Sequence, residues 1–151
     1  MQVDDAIAAV RNFHTATGSP VTDKPCLLPG DQQAAERLAE QLLAVKSEID
    51  TTDGGLLVQR AAMAIEELAE WLRAHAGGDL VGAADAWADR AYVLFGDAVA
   101  SGLPAGELFA EVHRSNMSKD LVADGTGKAT KGANYQPPNL VSILEAASHG
   151  R

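Results

Sequence analysis

Five carboxylates lie on two stretches of predicted helix, and they are the residues of this chain best suited to chemistry. The first stretch contains Glu66, Glu67 and Glu70, and the second contains Asp85 and Asp89. In a helix with about 3.6 residues per turn, positions three or four apart share a face, so each stretch places its carboxylates side by side. Like charges at that spacing repel each other, so a bound counter-charge is expected.

The second stretch has almost only apolar neighbours, from Ala84 to Phe95, which predicts a helix buried on most sides. Burying Asp85 and Asp89 without a partner would be costly, and Arg90 points about 100° away from Asp89 on a helix. Oxygen ligands without His or Cys favour Mg²⁺, or Mn²⁺ in its place, over zinc. A solvated face is the alternative for the glutamates alone, but the two clusters together favour a metal site.

A second group of polar residues lies near the end of a later helix and in the segment after it. Asn116 and Lys119 fall at the predicted helix end, and Lys128, Lys131 and Tyr135 follow among glycines. Lysines in such a setting can contact phosphate oxygens. The alternatives are an ordinary helix cap for the first two residues and a solvated flexible loop for the others.

Composition and charge limit the possible classes of protein. The 151 residues suit one domain with its own core, and a net charge of −9 argues against binding a nucleic-acid polymer. A small phosphorylated ligand carried with Mg²⁺ is compatible with that charge. The single Cys26 excludes an internal disulfide, and no stretch reads as a secretion signal or a membrane span. A cytoplasmic protein without a membrane partner is therefore expected.

The Ala- and Leu-rich sequence, without useful strand alternation, predicts an all-α fold. Helices are predicted over residues 3–15, 31–50, 56–75, 80–100, 104–118 and 140–147. The inner face of the second helix is predicted to carry Ala35, Leu38, Leu42 and Val45. Residues 121–139 are predicted to form a long loop that closes over substrate as a lid.

These acidic motifs resemble those of the all-α nucleoside triphosphate pyrophosphohydrolases, the superfamily of MazG, dimeric dUTPases and phosphoribosyl-ATP pyrophosphohydrolases. Glu67-x-x-Glu70 and Asp89 match its E-x-x-E and E-x-x-D motifs, and Glu66 supplies the preceding glutamate of the E-E-x-x-E form. The second motif departs from the pattern, because position 86 is Ala and the carboxylate stands one residue earlier, at Asp85.

A closer similarity, to a bacterial MazG-like subgroup with dUTPase-like activity, covers most of the chain and is weakest between Asp31 and Leu57. It runs through Val10–His14, Asp85–Val93, Phe109–Lys119 and Lys131–Pro138.

The resemblance implies a four-to-six-helix bundle completed by dimerisation, as a homodimer or a dimer of dimers. It implies that Glu67, Glu70, Asp85 and Asp89 hold Mg²⁺, joined by Glu66, which orients or deprotonates water. The products would be a nucleoside monophosphate and pyrophosphate. By the same resemblance, substrate contacts are expected from Asn116, Lys119, Lys128, Lys131 and Tyr135, with Phe13 and His14 as weaker candidates for the base pocket.

Two alternatives to a dUTP-like substrate remain. A hydrolase of histidine biosynthesis that acts on phosphoribosyl-ATP would use the same metal helices. A non-enzymatic helical module would use its apolar faces to bind a partner and leave the carboxylates solvated or around a structural ion.

Overall fold

The computed structural model describes residues 2–121 and 129–149, and these residues form six helices and one short two-stranded ladder. The elements are α1 (Val3–Thr17), α2 (Gln32–Asp50), α3 (Gly55–Ala76), α4 (Leu80–Ser101), α5 (Ala105–Met117), β1 (Asp120–Leu121), β2 (Ala129–Thr130) and α6 (Leu140–His149). The all-α prediction is confirmed, and each predicted helix boundary lies within two residues of the observed one.

A small ladder begins at the residue before the predicted loop, and in it Asp120 pairs with Thr130 and Leu121 with Ala129 in antiparallel register. Two residues per strand are too few to show a periodic pattern in the sequence. The ladder therefore could not have been predicted from the spacing of apolar residues.

The chain divides into two compact units. One, here called the three-helix unit, is Lys24–Ser101 and contains α2, α3 and α4. The other, here called the terminal unit, combines Met1–Asp23 with Gly102–Arg151 and contains α1, α5, the ladder and α6. A single domain over residues 1–151 stays a prediction.

Two helices of the three-helix unit, α2 and α4, begin at the predicted capping residues. Asp31 accepts a hydrogen bond from the Ala34 amide at 3.0 Å, and Asp79 accepts one from the Gly82 amide at 2.9 Å. These contacts satisfy amides that have no partner within the first helical turn. α3 packs against both α2 and α4. The buried apolar side chains are small: Ala39, Ala62, Ala69, Ala83, Ala86 and Val93.

The predicted inner face of α2 is only partly right. Leu38 and Val45 are 47% and 46% exposed, whereas Ala39 is fully buried. The helix turns Glu36 and Lys46 toward α3, where they form ion pairs. The spacing of large apolar residues therefore predicted only part of the face that α2 turns to α3. The fully buried residue of that face is Ala39, and the charged Glu36 and Lys46 lie near it.

The prediction that α4 is buried on most sides is wrong for this chain. α4 contacts α3 through Ala83, Ala86 and Val93, and the structure leaves its larger apolar side chains uncovered. The exposed set is Leu80, Val81, Trp87, Tyr92, Leu94, Phe95 and Val99. An apolar sequence indicated a buried helix, but among the described residues of α4 only Ala83, Ala86 and Val93 are buried.

Arg60 ties α3 to α4. Its Nε donates to Asp97 Oδ1 at 2.6 Å, and its Nη2 donates to the Val93 carbonyl. Gly96 makes room for this contact, since a Cβ at that position would lie 2.5 Å from the guanidinium. Arg60 therefore joins the two carboxylate-bearing helices through one side chain.

We expect Arg60→Met to lower the free energy of unfolding by about 1–2 kcal/mol, because it removes the ion pair with Asp97 and the hydrogen bond to the Val93 carbonyl. Denaturant unfolding followed by circular dichroism measures this loss. Arg73→Met is the matched control, because Arg73 and Glu36 are both nearly half-exposed and such pairs contribute about 0.5 kcal/mol or less. Equal losses in the two variants would contradict the special role of Arg60.

In the terminal unit, α5 packs against both α1 and α6. α1 ends at Gly18, whose φ of 66° is a left-handed conformation that glycine adopts without a steric penalty. Among the described residues of the whole chain, no single helix is long and apolar enough to cross a membrane, and only the consecutive pair α4 and α5 together meets that test.

Candidate functional site

Glu67 is the centre of the acidic cluster in the three-helix unit. It is half-buried on α3, and its Oε2 is buried without a hydrogen-bond partner in the part of the chain that the structure describes. A buried carboxylate oxygen in that state is unfavourable. It is therefore the atom of this unit that most needs a cation.

Four other carboxylates act on Glu67. Its pKa is raised above 4.5, first by burial and then by repulsion from Glu70, Asp89, Glu66 and Asp85. Three of these five residues lie on α3 and two on α4. The packing of the two helices thus brings both predicted acidic groups into one electrostatic cluster, named here the carboxylate cluster.

The predicted burial of Asp85 and Asp89 is wrong. Both aspartates and Glu70 are exposed, whereas Glu67 is half-buried and burial is the main cause of its raised pKa. The buried residues of α4 are Ala83, Ala86 and Val93, and the two aspartates are not among them. Asp85 and Asp89 nevertheless repel Glu67, although neither aspartate is buried.

The donor chemistry of the carboxylate cluster suits a hard divalent cation, because every ligand atom offered is a carboxylate oxygen. Within residues 2–121 and 129–149, however, no three His, Cys, Asp or Glu side chains stand where they could together hold one ion. Binding one ion through several of them therefore requires them to change rotamer.

Glu66 has a cationic neighbour that the sequence reading missed. Lys46 Nζ on α2 lies 3.4 Å from Glu66 Oε2 and 2.8 Å from Asp50 Oδ2. The hydrogen bond to Asp50 is the main cause of a raised Lys46 pKa, with Glu66 adding to it. The i,i+4 spacing of Lys46 and Asp50 was visible in the sequence, but the link to Glu66 depends on how α2 packs on α3.

Arg90, the cation nearest to Asp89 in sequence, is directed elsewhere. Its guanidinium carbon lies 4.9 Å from the centre of the Trp71 ring, an arrangement typical of a cation–π contact. The Trp71 ring also contacts His75, with 4.3 Å between ring centres. The expectation that Arg90 does not neutralise Asp89 agrees with this geometry, since no ion pair between them is present among the described residues.

The terminal unit pairs four of the predicted substrate-binding residues. Lys119 Nζ donates to Asn116 Oδ1 at 2.9 Å, across the end of α5. Lys131 Nζ lies 5.0 Å from the centre of the Tyr135 ring. Neither lysine has a carboxylate partner within the described residues, so both charges are available to an anion. Lys128, a fifth predicted contact, lies outside those residues.

Phe13 and His14, the candidates for a base pocket, lie near the end of α1 in the same unit and are half-buried. The Nδ1 of His14 lies 2.9 Å from the Pro20 carbonyl oxygen, so one ring nitrogen is already occupied. The other nitrogen is the polar atom that His14 has left for a ligand.

The second half of the predicted lid is attached to α5. Ser115 Oγ donates to the Gln136 carbonyl at 2.8 Å, and Ser118 Oγ accepts from the Gln136 amide at 2.8 Å. Arg114 donates to Gln136 Oε1 and to the Pro137 carbonyl. Residues 136 and 137 therefore rest on the last turns of α5 through side chains that the sequence reading had not assigned.

Glu111 completes this attachment. It accepts two hydrogen bonds from Arg114 and one from the Asn139 amide, at 2.7 to 2.8 Å. The guanidinium and then the amide lower its pKa to about 2. Because the carboxylate stays ionised above that pH, this part of the contact is stable in neutral and mildly acidic solution. Any lid movement must break these bonds or be confined to residues before position 136.

One family model matches the chain. It is described as phosphoribosyl-ATP pyrophosphohydrolase, and the match covers residues 32–116, more than half of the chain. The matched range contains α2 to α4, most of α5 and all five carboxylates of the cluster. Comparison with curated proteins and with solved structures finds no match.

Proposed function

Because the chain belongs to the phosphoribosyl-ATP pyrophosphohydrolase family, within the MazG-like all-α superfamily, we propose that it is a Mg²⁺-dependent nucleoside triphosphate pyrophosphohydrolase. Membership itself supports an enzyme that hydrolyses a nucleotide pyrophosphate bond. We further propose that the enzyme uses Mg²⁺, that its substrate is a triphosphate, and that it removes a dUTP-like nucleotide in a house-cleaning role.

The observation that supports the metal is the condition of Glu67. A buried oxygen without a partner, repelled by four carboxylates on two helices, is stabilised when a cation enters the cluster. A merely solvated acidic face would leave every carboxylate in contact with water. The proposed ligands are therefore Glu67, Glu70, Asp85 and Asp89, and Mn²⁺ is expected to substitute for Mg²⁺.

The reaction proposed is hydrolysis of the bond between the α- and β-phosphates, which gives a nucleoside monophosphate and pyrophosphate. When bound, Mg²⁺ supplies charge that neutralises the polyphosphate and makes water more acidic. Glu66 is the proposed proton acceptor, since its half-buried carboxylate is the one in the cluster that contacts Lys46. It orients the attacking water and takes its proton.

The terminal unit is proposed to contribute substrate contacts. Lys119 and Lys131 carry charges without carboxylate partners among the described residues, and each is paired with a neutral neighbour, Asn116 or Tyr135. Ammonium groups in such a setting bind phosphate oxygens, and the amide and the ring offer contacts to sugar or base. Lys128, Phe13 and His14 stay predicted contacts.

The dUTP-like assignment depends on the similarity of residues 116–119 and 131–138 to one subgroup. The description of the matching family equally supports phosphoribosyl-ATP as the substrate, which is the second candidate function.

The deciding experiment measures pyrophosphate release from phosphoribosyl-ATP and from common, deoxy, uracil-containing and damaged nucleoside triphosphates, with Mg²⁺ and with Mn²⁺. Preferential turnover of dUTP supports the proposal, and preferential turnover of phosphoribosyl-ATP replaces it with the second candidate. Equal turnover of the deoxynucleotides indicates general house-cleaning. No release from any of them would favour a non-enzymatic helical module.

We expect Lys131→Ala to raise the Michaelis constant about tenfold and to slow turnover, because it removes a charge proposed to contact phosphate. Mg²⁺ affinity should be unchanged, since Lys131 acts on the substrate and not on the ion. Steady-state kinetics and a metal titration check both statements. Arg37→Ala is the matched control, because it removes one exposed cation of α2. Unchanged kinetics for Lys131→Ala would leave the segment as a tether to α6.

A homodimer or a pair of dimers in the cytoplasm is also proposed. The exposed apolar side chains of α4, which include Trp87, Tyr92 and Phe95, form a surface that a second copy would cover. Sedimentation equilibrium tests this. A monomer at high protein concentration would contradict the proposed assembly without affecting the proposed reaction.

A further inference from the structure

Lys46 connects α2 to the carboxylate cluster on α3. Its ammonium contacts Asp50 of its own helix at 2.8 Å and Glu66 of α3 at 3.4 Å, and its side chain is 24% exposed. The stronger contact is the one within α2. Asp50 therefore restricts the lysine, and the restricted lysine contacts Glu66.

This contact separates the two adjacent glutamates of α3. Neighbouring residues of a helix point about 100° apart, and Lys46 draws Glu66 toward α2. Glu67 instead is repelled by both aspartates of α4, and Glu70 and Asp89 repel it more than Glu66 does. Glu66 thus has a protein cation as its partner, whereas Oε2 of Glu67 has no hydrogen-bond partner among the residues that the structure describes.

We propose that Lys46, restrained by Asp50, is a positioning residue that holds Glu66 on the α2 side of the carboxylate cluster, as a proton acceptor and not as a metal ligand. This inference rests on the proposed function, and it assigns different roles to two glutamates that are adjacent in the sequence. Without the lysine, Glu66 is free to turn toward the other four carboxylates. It then adds a charge to the metal set and loses its orientation toward water.

Lys46→Met tests this proposal through metal binding as well as turnover. We expect its Mg²⁺ affinity to rise about threefold, since a nearby positive charge is lost and Glu66 is released. We expect its turnover number to fall about tenfold with little change in the Michaelis constant, because orientation of the proton acceptor affects the chemical step. Lys46→Arg keeps the charge and should restore most of the turnover.

Two further variants separate positioning from simple charge. Arg73→Met removes the cation of another ion pair between α3 and α2, so it should leave Mg²⁺ affinity and turnover near those of the parent. In a Glu66→Gln background, Lys46→Met should give little further gain in Mg²⁺ affinity, because the released carboxylate is absent. Calorimetric Mg²⁺ titrations of the four combinations of Lys46→Met and Glu66→Gln measure this coupling.

Parental Mg²⁺ affinity and turnover in Lys46→Met would overturn the positioning role. An equal gain in affinity with and without Glu66 would also overturn it, by reducing Lys46 to a distant charge. These failures leave the proposed function intact if the parent binds Mg²⁺ and releases pyrophosphate. A parent that binds no Mg²⁺ overturns the proposed function, and the role of Lys46 with it.

Discussion

Glu67→Gln is expected to raise the melting temperature of the metal-free protein and to abolish the further rise that Mg²⁺ produces in the parent. The glutamine removes a half-buried charge that four carboxylates repel, and its amide can donate hydrogen bonds to them. A gain of roughly 2–5 °C is expected for a change of this kind. Pyrophosphate release should fall by about a hundredfold or more, because the most buried ligand is lost.

The pH dependence gives an independent check on the same residue. The folded pKa of Glu67 lies above its ordinary value of 4.5, so the folded state binds the proton more tightly than the unfolded state. Its contribution to stability is therefore complete below pH 4.5 and is lost as the pH rises through the raised value. The stability difference between parent and Glu67→Gln should widen over that range and stay constant above it.

Glu40→Gln is the matched control, because Glu40 is an exposed glutamate of α2. Its melting temperature, its response to Mg²⁺ and its activity should equal those of the parent. Thermal melts with millimolar Mg²⁺ and with a chelator, at several pH values, measure all of these effects. A Glu67→Gln protein that melts below the parent without metal would show that Glu67 has a stabilising partner, against the arrangement described above.

Glu70→Gln and Asp89→Asn are expected to reduce pyrophosphate release about a hundredfold each while leaving helical content unchanged. Both residues are exposed, so neither substitution disturbs the packing of α3 on α4. Each removes one charged ligand from the proposed ion and leaves a neutral isostere. Parallel assays of pyrophosphate release and circular dichroism measure both effects.

The two variants also distinguish a ligand from a bystander. Because each substitution removes a negative charge, the melting temperature without metal should rise slightly while Mg²⁺ affinity falls. Near-normal turnover in either variant would remove that residue from the proposed metal set. Loss of activity together with loss of helical content would instead indicate a structural role.

The helices and the carboxylate cluster could be predicted because they depend on local rules. Helix spacing places Glu67 beside Glu70 and Asp85 beside Asp89, and the two glycines at positions 77 and 78 end α3 before Asp79 caps α4. A short connection between two helices favours antiparallel neighbours. The meeting of the two acidic groups follows from that connection.

What the sequence left open depends on packing between elements distant in the chain. The contact of Lys46 with Glu66 depends on which face α2 turns toward α3. On α2 the buried residue is Ala39, whereas the larger Leu38 and Val45 are exposed. The attachment of residues 136 and 137 to α5 depends on Ser115, whose hydroxyl gave no periodic signal. Small and polar residues made these contacts, whereas sequence patterns emphasise large apolar ones.

The alanine core of the three-helix unit has a consequence for how this sequence can change over evolutionary time. A core of large side chains loses stability mostly through truncation, but Ala39, Ala62, Ala69, Ala83 and Ala86 have almost nothing to truncate. Substitution by a bulkier residue would push the helices apart and cost about 1–3 kcal/mol. Mutational drift is therefore tolerated at the surface and resisted along the α3–α4 contact. The separation of the two acidic helices is thus protected by the size of residues that take no part in chemistry.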